Sequence, residues 1–390
     1  MKIQSILLSA ALICSTAALP AFSQTFSVTP VANPAGPGSI QPNWSVAPDG
    51  AAVFSWIEPS TGGAFTLRYA VRHGASWGPA ITIVANRHFF RHPAEMPEVL
   101  AVAGGHWFAH WIESPGGDSD AEYLYVSSST DGKTWTTPLE AHHDKSPVQH
   151  GLASMIANPD GGGSIFWLEA LHGEDAPVAL KRTIVDATGK EVREEVLQPD
   201  VCGCCPTAVT RTSKGLLVAF RAHSKENIRD IAVTRLENGK WTPPKIVSVD
   251  NWQIEACPTN AAAVKAQGDH VVISWFTEAD DKPRTQVAFS TDAGSSFTKP
   301  VLLSTGHSFG YTSLALDEDG SAIVSWLEQS PEGAKVMVRR VTSAGIAGPP
   351  VEVAKGGKMA LGYPKLFHHG SETLIAWGNS KHVETATLGK

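Results

Sequence analysis

Phe54-Ser55-Trp56-Ile57-Glu58 is a short apolar run closed by an aromatic and a carboxylate, and the chain repeats it six more times. The copies are F-A-H-W-I-E (Phe108 to Glu113), I-F-W-L-E (Ile165 to Glu169), V-A-F-R (Val218 to Arg221), I-S-W-F-T (Ile273 to Thr277), V-S-W-L-E (Val324 to Glu328) and I-A-W-G-N (Ile375 to Asn379). Their key aromatics are Trp56, Trp111, Trp167, Phe220, Trp275, Trp326 and Trp377, at spacings of 55, 56, 53, 55, 51 and 51 residues. A period of this length signals an array of equivalent structural units. The run is apolar almost throughout, as expected of a strand covered on both faces, so its tryptophan is first of all core.

Each unit has one internal grammar. In the first, Pro42 to Ala47 leads through a P-D-G turn to Ala52 to Glu58, then Phe65 to Arg72, then Ile81 to Ala85. Four strands joined by tight turns make a propeller blade. The spacing therefore predicts an all-β propeller of four-stranded blades, seven by this count and six as the alternative. The last unit stops after its third strand, around His382 to Leu388, and Thr25 to Ala32 is an orphan strand. Pairing the two closes the ring without a free edge.

The first residues read as a secretory signal over 1–23: Lys2, an apolar run from Ile6 to Ala18, then small residues at Ala21 and Ser23 before Gln24. Residues 24–390 then form one domain, and the expected location is periplasmic or secreted. Cys14 follows Ile13, where a lipid-anchor signal wants a small residue. The chain carries 38 acidic residues against 31 Lys plus Arg, a balance that argues against nucleic-acid partners and anionic membranes. A monomer without membrane insertion is expected. Four cysteines, Cys202, Cys204, Cys205 and Cys257, remain after the signal, and an even number in an exported chain favours disulfides.

Ser290-Thr291-Asp292-Ala293-Gly294-Ser295-Ser296-Phe297 matches the S-x-D-x-G-x-[ST]-[WF] pattern of the Asp-box, and Ser129-Thr130-Asp131-Gly132-Lys133-Thr134-Trp135 matches a form one residue shorter. Gly74 to Trp77 and Asn238 to Trp241 look like worn copies. Asp and Ser satisfy turn amides, Gly takes positive φ, and the aromatic packs beneath. On these motifs the chain resembles the sialidase-like, or BNR-repeat, propeller superfamily, and within it a secreted bacterial group carrying C-x-C-C. The resemblance implies an exo-α-sialidase or related glycoside hydrolase: three arginines gripping a carboxylate, an aspartic acid as general acid/base, and a tyrosine nucleophile with a glutamate behind it. Phe90-Arg91-His92-Pro93 is one residue from the family's [FY]-R-I-P motif, which makes Arg91 the first clamp. Arg221 and Arg229 are further clamps, Asp118 or Asp120 the acid/base, and Tyr311 or Tyr363 the nucleophile, with Glu169 or Glu278 behind it. As a plain loop residue, Arg91 would have none of these duties.

In such a ring the loops entering the innermost strands, and those joining second to third strands, gather around one mouth of the central channel. That sorting places His88, His92, His142, His143, His150, His172, His223 and His307 there with the four cysteines, so a glycan or small-molecule ligand is expected at the mouth. Cys205-Pro206-Thr207 and Cys257-Pro258-Thr259 stand 52 residues apart, one blade period, a placement suited to a structural disulfide. The competing reading is a metal or redox site in which C-x-C-C, with His150 and His307, holds copper or zinc; no cofactor is otherwise required. A non-hydrolytic binding protein and a pure interaction platform are the alternatives to an enzyme. Glu58, Glu113, Glu169 and Glu328 recur two residues after the aromatic, and hydrogen bonding to turn backbone explains them without a ligand.

Overall fold

The computed structural model describes residues 25–115, 121–171 and 177–389. Among these, the strands form seven sheets, each ordered from an innermost to an outermost strand. The innermost strands are Ile40–Val46, Glu98–Ala101, His150–Ala157, Ala208–Arg211, Ala263–Gln267, Ser308–Leu316 and Lys365–His369. We number the blades 1 to 7 in that order. Blades 1 and 4 carry a short additional outer strand.

The second strand of every blade holds the repeated aromatic. Trp56, Trp111, Trp167, Trp275 and Trp326 are at most 1% exposed, and Phe220 and Trp377 only slightly more. Burial between sheets is what makes these strands apolar on both faces. It also obliges each indole N–H to find an acceptor. Trp56, Trp111 and Trp326 donate to Glu58, Glu113 and Glu328 at 2.9, 2.7 and 2.9 Å. Trp167 turns to Thr183 and Trp275 to Asp250 instead. The recurrent glutamate is therefore chiefly an indole acceptor. Turn hydrogen bonding is the smaller part, confined to the Gly36 amide on Glu58 and the Thr305 amide on Glu328.

Ring closure follows the expected route. Ser27–Val31 pairs antiparallel with Val383–Gly389, from Ser27 opposite Gly389 to Val31 opposite Thr385, completing blade 7. Asn33 then donates to the Val383 carbonyl, and Gly38 to that of Lys381.

The two Asp-boxes sit between third and fourth strands and staple neighbouring blades. Asp131 accepts the Lys133 and Thr134 amides, both at 2.7 Å, and Asp292 accepts that of Ser296 at 2.8 Å. For Asp131 these amides, and for Asp292 first the Ser296 and Ser290 hydroxyls and then the amide, hold the carboxyls below the usual carboxylate range, Asp292 at about 2. Gly132 and Gly294 have φ of 68° and 79°. Gly132 lies under Tyr69 of blade 1 and Gly294 against Leu217 of blade 4, so a side chain at either would force the blades apart.

Candidate functional site

Three innermost strands are irregular at the end facing the mouth. Register shifts fall between Ile40 and Asn43, between Gly151 and Ser154, and between Gly310 and Ser313. At each, a non-glycine residue takes positive φ: Gln41 at 54°, Leu152 at 55° and Tyr311 at 55°. Such a conformation costs about 1–2 kcal/mol per residue, and bulges of this kind re-aim side chains. Gln41 uses it to donate through Nε2 to the carbonyls of His92 (2.9 Å) and Glu95, fixing the loop that enters blade 2.

That loop, with blades 1 and 7, walls a mouth pocket of about 130 Å³ that brings together Arg91, His92 and Tyr363 beside Met96 and Met359. Arg91 is exposed and lies over the Phe65 ring at 4.9 Å. His92 accepts the Ala94 amide on Nδ1 at 3.2 Å, and burial lowers its pKa.

Below the mouth, the channel has an upper space of about 150 Å³ reached by all seven innermost strands, and a lower one of about 390 Å³. Its wall is mostly hydroxyls and small side chains, with three charges: Glu98, Lys265 and Lys365. Burial works against the charge on Glu98, but His110 at 3.5 Å and the Met155 amide at 2.9 Å hold its carboxyl below the usual range. Lys265 is accessible to solvent on the channel wall, and the protein packed around it lowers its pKa. Enclosure, with Lys265 nearby, brings Lys365 down to about 8. Two ammonium groups thus share the space with one carboxylate that is already engaged.

Beside the mouth, Glu95 and Glu122 are buried against each other, both lying over Gly151, where a Cβ would stand 2.6 and 2.1 Å from their oxygens. Burial and the facing Glu122 push the Glu95 carboxyl well above its ordinary range. Two carboxyls in hydrogen-bond contact leave no room for a glycosidic bond, which needs them at least about 5 Å apart.

The other candidates divide. Arg221 is 1% exposed and spends its guanidinium on the carbonyls of Arg229, Asn260 and Phe276, at 2.6, 3.1 and 3.0 Å. It holds the framework and offers these donors to no ligand. The Tyr363 hydroxyl donates to the Thr259 carbonyl at 2.7 Å and accepts the Ala261 amide at 3.0 Å. Tyr311 packs edge-on against it, ring centroids 4.5 Å apart, and burial raises both phenols' pKa. Glu169 stands with Lys181 and His150 in blade 3, not behind a tyrosine. Asp118, Asp120 and His172 lie outside the described residues, as does 1–23.

The histidines are dispersed. His143 binds Glu191 on the outer strand of blade 3 (Glu191–Val201). His150 is fully buried, stacked on His142 at 3.9 Å. Burial, with His150 alongside, lowers His142 to about 4. His150 groups with Asp144 and Glu169 rather than with the cysteines, and His307 is exposed beside Phe309. The cysteine group therefore contains neither histidine expected of it among the described residues.

Cys202, Cys204 and Cys205 converge, with Sγ of Cys202 lying 3.6 Å from that of Cys204 and 3.9 Å from that of Cys205. Among the described residues Cys202, Cys204, Cys205 and Cys257 form no disulfide, and Cys257 is exposed. Hydrogen bonds accepted from the neighbouring thiols hold Cys202 well below the usual thiol range, those that Cys204 donates hold it above, and burial pushes Cys205 up to about 12. Arg229 donates to Cys202 Sγ at 3.2 Å, which removes it from the expected carboxylate clamp. The bulges at Gln41 and Tyr311 and the channel lysines escaped the reading of the sequence. Only the interruption of strand character at Gln41-Pro42 and Gly310-Tyr311 hinted at the former.

Residues 64–324 match the family model described as a BNR repeat-like domain. The chain belongs to this family. No curated protein matches it in sequence. Among solved structures, it resembles a protein of unknown function from Dyadobacter fermentans at 15% identity, covering 93% of this chain and 97% of that one, with a TM-score of 0.51. It also resembles a PL25 ulvan lyase bound to GlcA(1-4)Rha3S at 10% identity, 95% and 96% coverage and a TM-score of 0.56. The Hadza microbial sialidase Hz136 aligns at 16% identity over 74% of this chain and 63% of its own length, with a TM-score of 0.45. The family match, with the likenesses to the Dyadobacter protein and the ulvan lyase, shows a BNR-repeat propeller fold.

Proposed function

We propose that the chain is an exported propeller that binds an acidic glycan at its channel mouth, with the ligand's anionic group directed at Lys265 and Lys365. One observation carries this reading: two lysines occupy the channel space with Glu98 alone against them, and Glu98 is tied to His110 and the Met155 amide. Glu98 lies near enough to both lysines to offset part of their charge, so an anion entering there meets the net positive charge of two ammonium groups against one carboxylate. Arg91, His92 and the mouth pocket then face the rest of the saccharide. The ulvan lyase of the same architecture holds GlcA(1-4)Rha3S, an acidic saccharide. The reading is of binding rather than sialidase-type hydrolysis, because both phenols are buried and Tyr363 is occupied by backbone.

Calorimetric titration with N-acetylneuraminate, glucuronate and galactose tests it. The acids are expected to bind and galactose not, and Lys365→Met to weaken the acids by about tenfold or more, the scale of one charge-assisted contact. Affinity should fall as pH rises through about 8, where Lys365 loses its proton. Equal binding of all three sugars, or binding unchanged in Lys365→Met, refutes the anion site. Turnover of a chromogenic sialoside that disappears in Arg91→Ala would replace binding with hydrolysis.

A further inference from the structure

The cysteine group is independent of the channel and is built like a coordination site. Its loop is held on several sides. Cys202 N–H donates to the Arg221 carbonyl at 3.0 Å, Gln149 Nε2 to that of Gly203 at 2.9 Å, and Thr207 N–H to that of Leu152 at 3.0 Å. Gly203 has no room for a side chain, since a Cβ would stand 2.5 Å from Val178 Cγ2. The loop therefore presents three sulfurs from four consecutive positions in one fixed arrangement.

The sulfur spacing discriminates between uses. A disulfide needs sulfurs at about 2.05 Å. A metal with M–S bonds of about 2.3 Å sets them about 3.8 Å apart in a tetrahedron and about 4.0 Å apart in a trigonal plane. The observed 3.6 and 3.9 Å exclude a disulfide and match the metal geometries, a spacing that thiols in plain contact also adopt, so the surroundings decide. The surroundings agree: Arg229 donates to Cys202 Sγ, and the Asn260 amide to Cys205 Sγ at 3.4 Å, the kind of outer donor that offsets thiolate charge and orients ligands. Cys202 and Cys205 are buried, while half-buried Cys204 leaves an approach from solvent. Cys257 is exposed and lies three residues before Asn260, whose amide reaches Cys205 Sγ.

We propose that Cys202, Cys204 and Cys205 form a thiolate site for a soft d10 cation, Cu(I) or Zn(II), with Cys257 available as a fourth sulfur. Three sulfur ligands suit Cu(I), and recruitment of Cys257 completes the four that Zn(II) prefers. Binding exchanges thiol protons for the metal and changes no oxidation state.

The full chain, reduced and freed of reductant under anaerobic conditions, is titrated with Zn(II) alone and with Cu(I) alone against a chromophoric chelator. Alkylatable thiols are counted before and after. One equivalent of metal is expected, protecting at least three thiols. Arg229→Ala should lower affinity by about tenfold and Cys205→Ser by about 100-fold or more. A loss in Cys257→Ser confined to Zn(II) would confirm the fourth sulfur. Thiol protection in the unmodified chain keeps the test valid should a buried Cys→Ser variant fail to fold. Reduced protein that takes up neither metal while Cys202, Cys204, Cys205 and Cys257 all react overturns the proposal. So does a Cys202–Cys205 disulfide that reforms on oxidation in a protein taking up no metal when reduced.

Discussion

Replacing Glu328 with alanine tests whether the repeated carboxylate is a structural acceptor. Glu328 is 1% exposed and accepts the Trp326 indole and the Thr305 amide, both at 2.9 Å, with Lys335 at 3.5 Å. Truncation strands the buried indole donor, worth about 1–3 kcal/mol, and removes the charged acceptor of the half-buried Thr305 amide, worth about 1.5 kcal/mol. Part of this is returned because a carboxylate no longer has to be kept out of water. The expected net loss is about 3 kcal/mol, and about half of that for Glu328→Gln, whose amide oxygen still serves one donor. Trp326→Phe removes the indole donor. In that background Glu328→Ala should cost about 1–2 kcal/mol less, and the difference is the coupling energy. Denaturant unfolding followed by far-ultraviolet circular dichroism measures all four corners of the cycle without relying on tryptophan emission. A loss under about 0.5 kcal/mol in Glu328→Ala, typical of an unremarkable surface change, would refute the acceptor role. So would a coupling energy of zero.

Two further outcomes concern the frame. Deleting residues 25–31 exposes the Val383–Gly389 strand as an edge, so the truncated protein should melt earlier and associate with rising concentration; unchanged melting and a monomer in sedimentation would count against closure by this strand. His142 is neutral in the fold down to about pH 4 but titrates at 6.5 when unfolded, so between those values the unfolded chain binds more protons. Stability should decline by about 3 kcal/mol as pH falls across that window, and His142→Gln should flatten the decline; an unaltered acid limb in the variant disproves the assignment.

The blades were legible because their determinants are local and repeated. An apolar strand closed by Trp, a tight turn and an Asp-box each leave a mark within ten residues, and Thr25 to Ala32 stood out by lacking a partner in its own unit. The site was less legible because its parts meet only through the ring. Glu98, Lys265 and Lys365 lie far apart in the chain, and each looks like an ordinary strand charge until the innermost strands face one axis. His150 was read as a mouth residue from its loop position, and Arg221 as a carboxylate clamp from the family resemblance. Loop position does not reveal that the imidazole stacks inward on His142 or that the guanidinium is spent on carbonyls. The cysteines were partly legible: C-x-C-C announces sulfur convergence, but not that Arg229 serves sulfur rather than a ligand carboxylate.

The pairing of Ser27 with Gly389 places both ends of blade 7's terminal strands side by side at the same tip. Pulling the two tails apart would load that tip alone, so the seam would peel one residue pair at a time instead of resisting as a whole. The ring is thus mechanically weakest where its beginning and end meet, and a polypeptide rejoined there and cut elsewhere should bear far greater tension before opening.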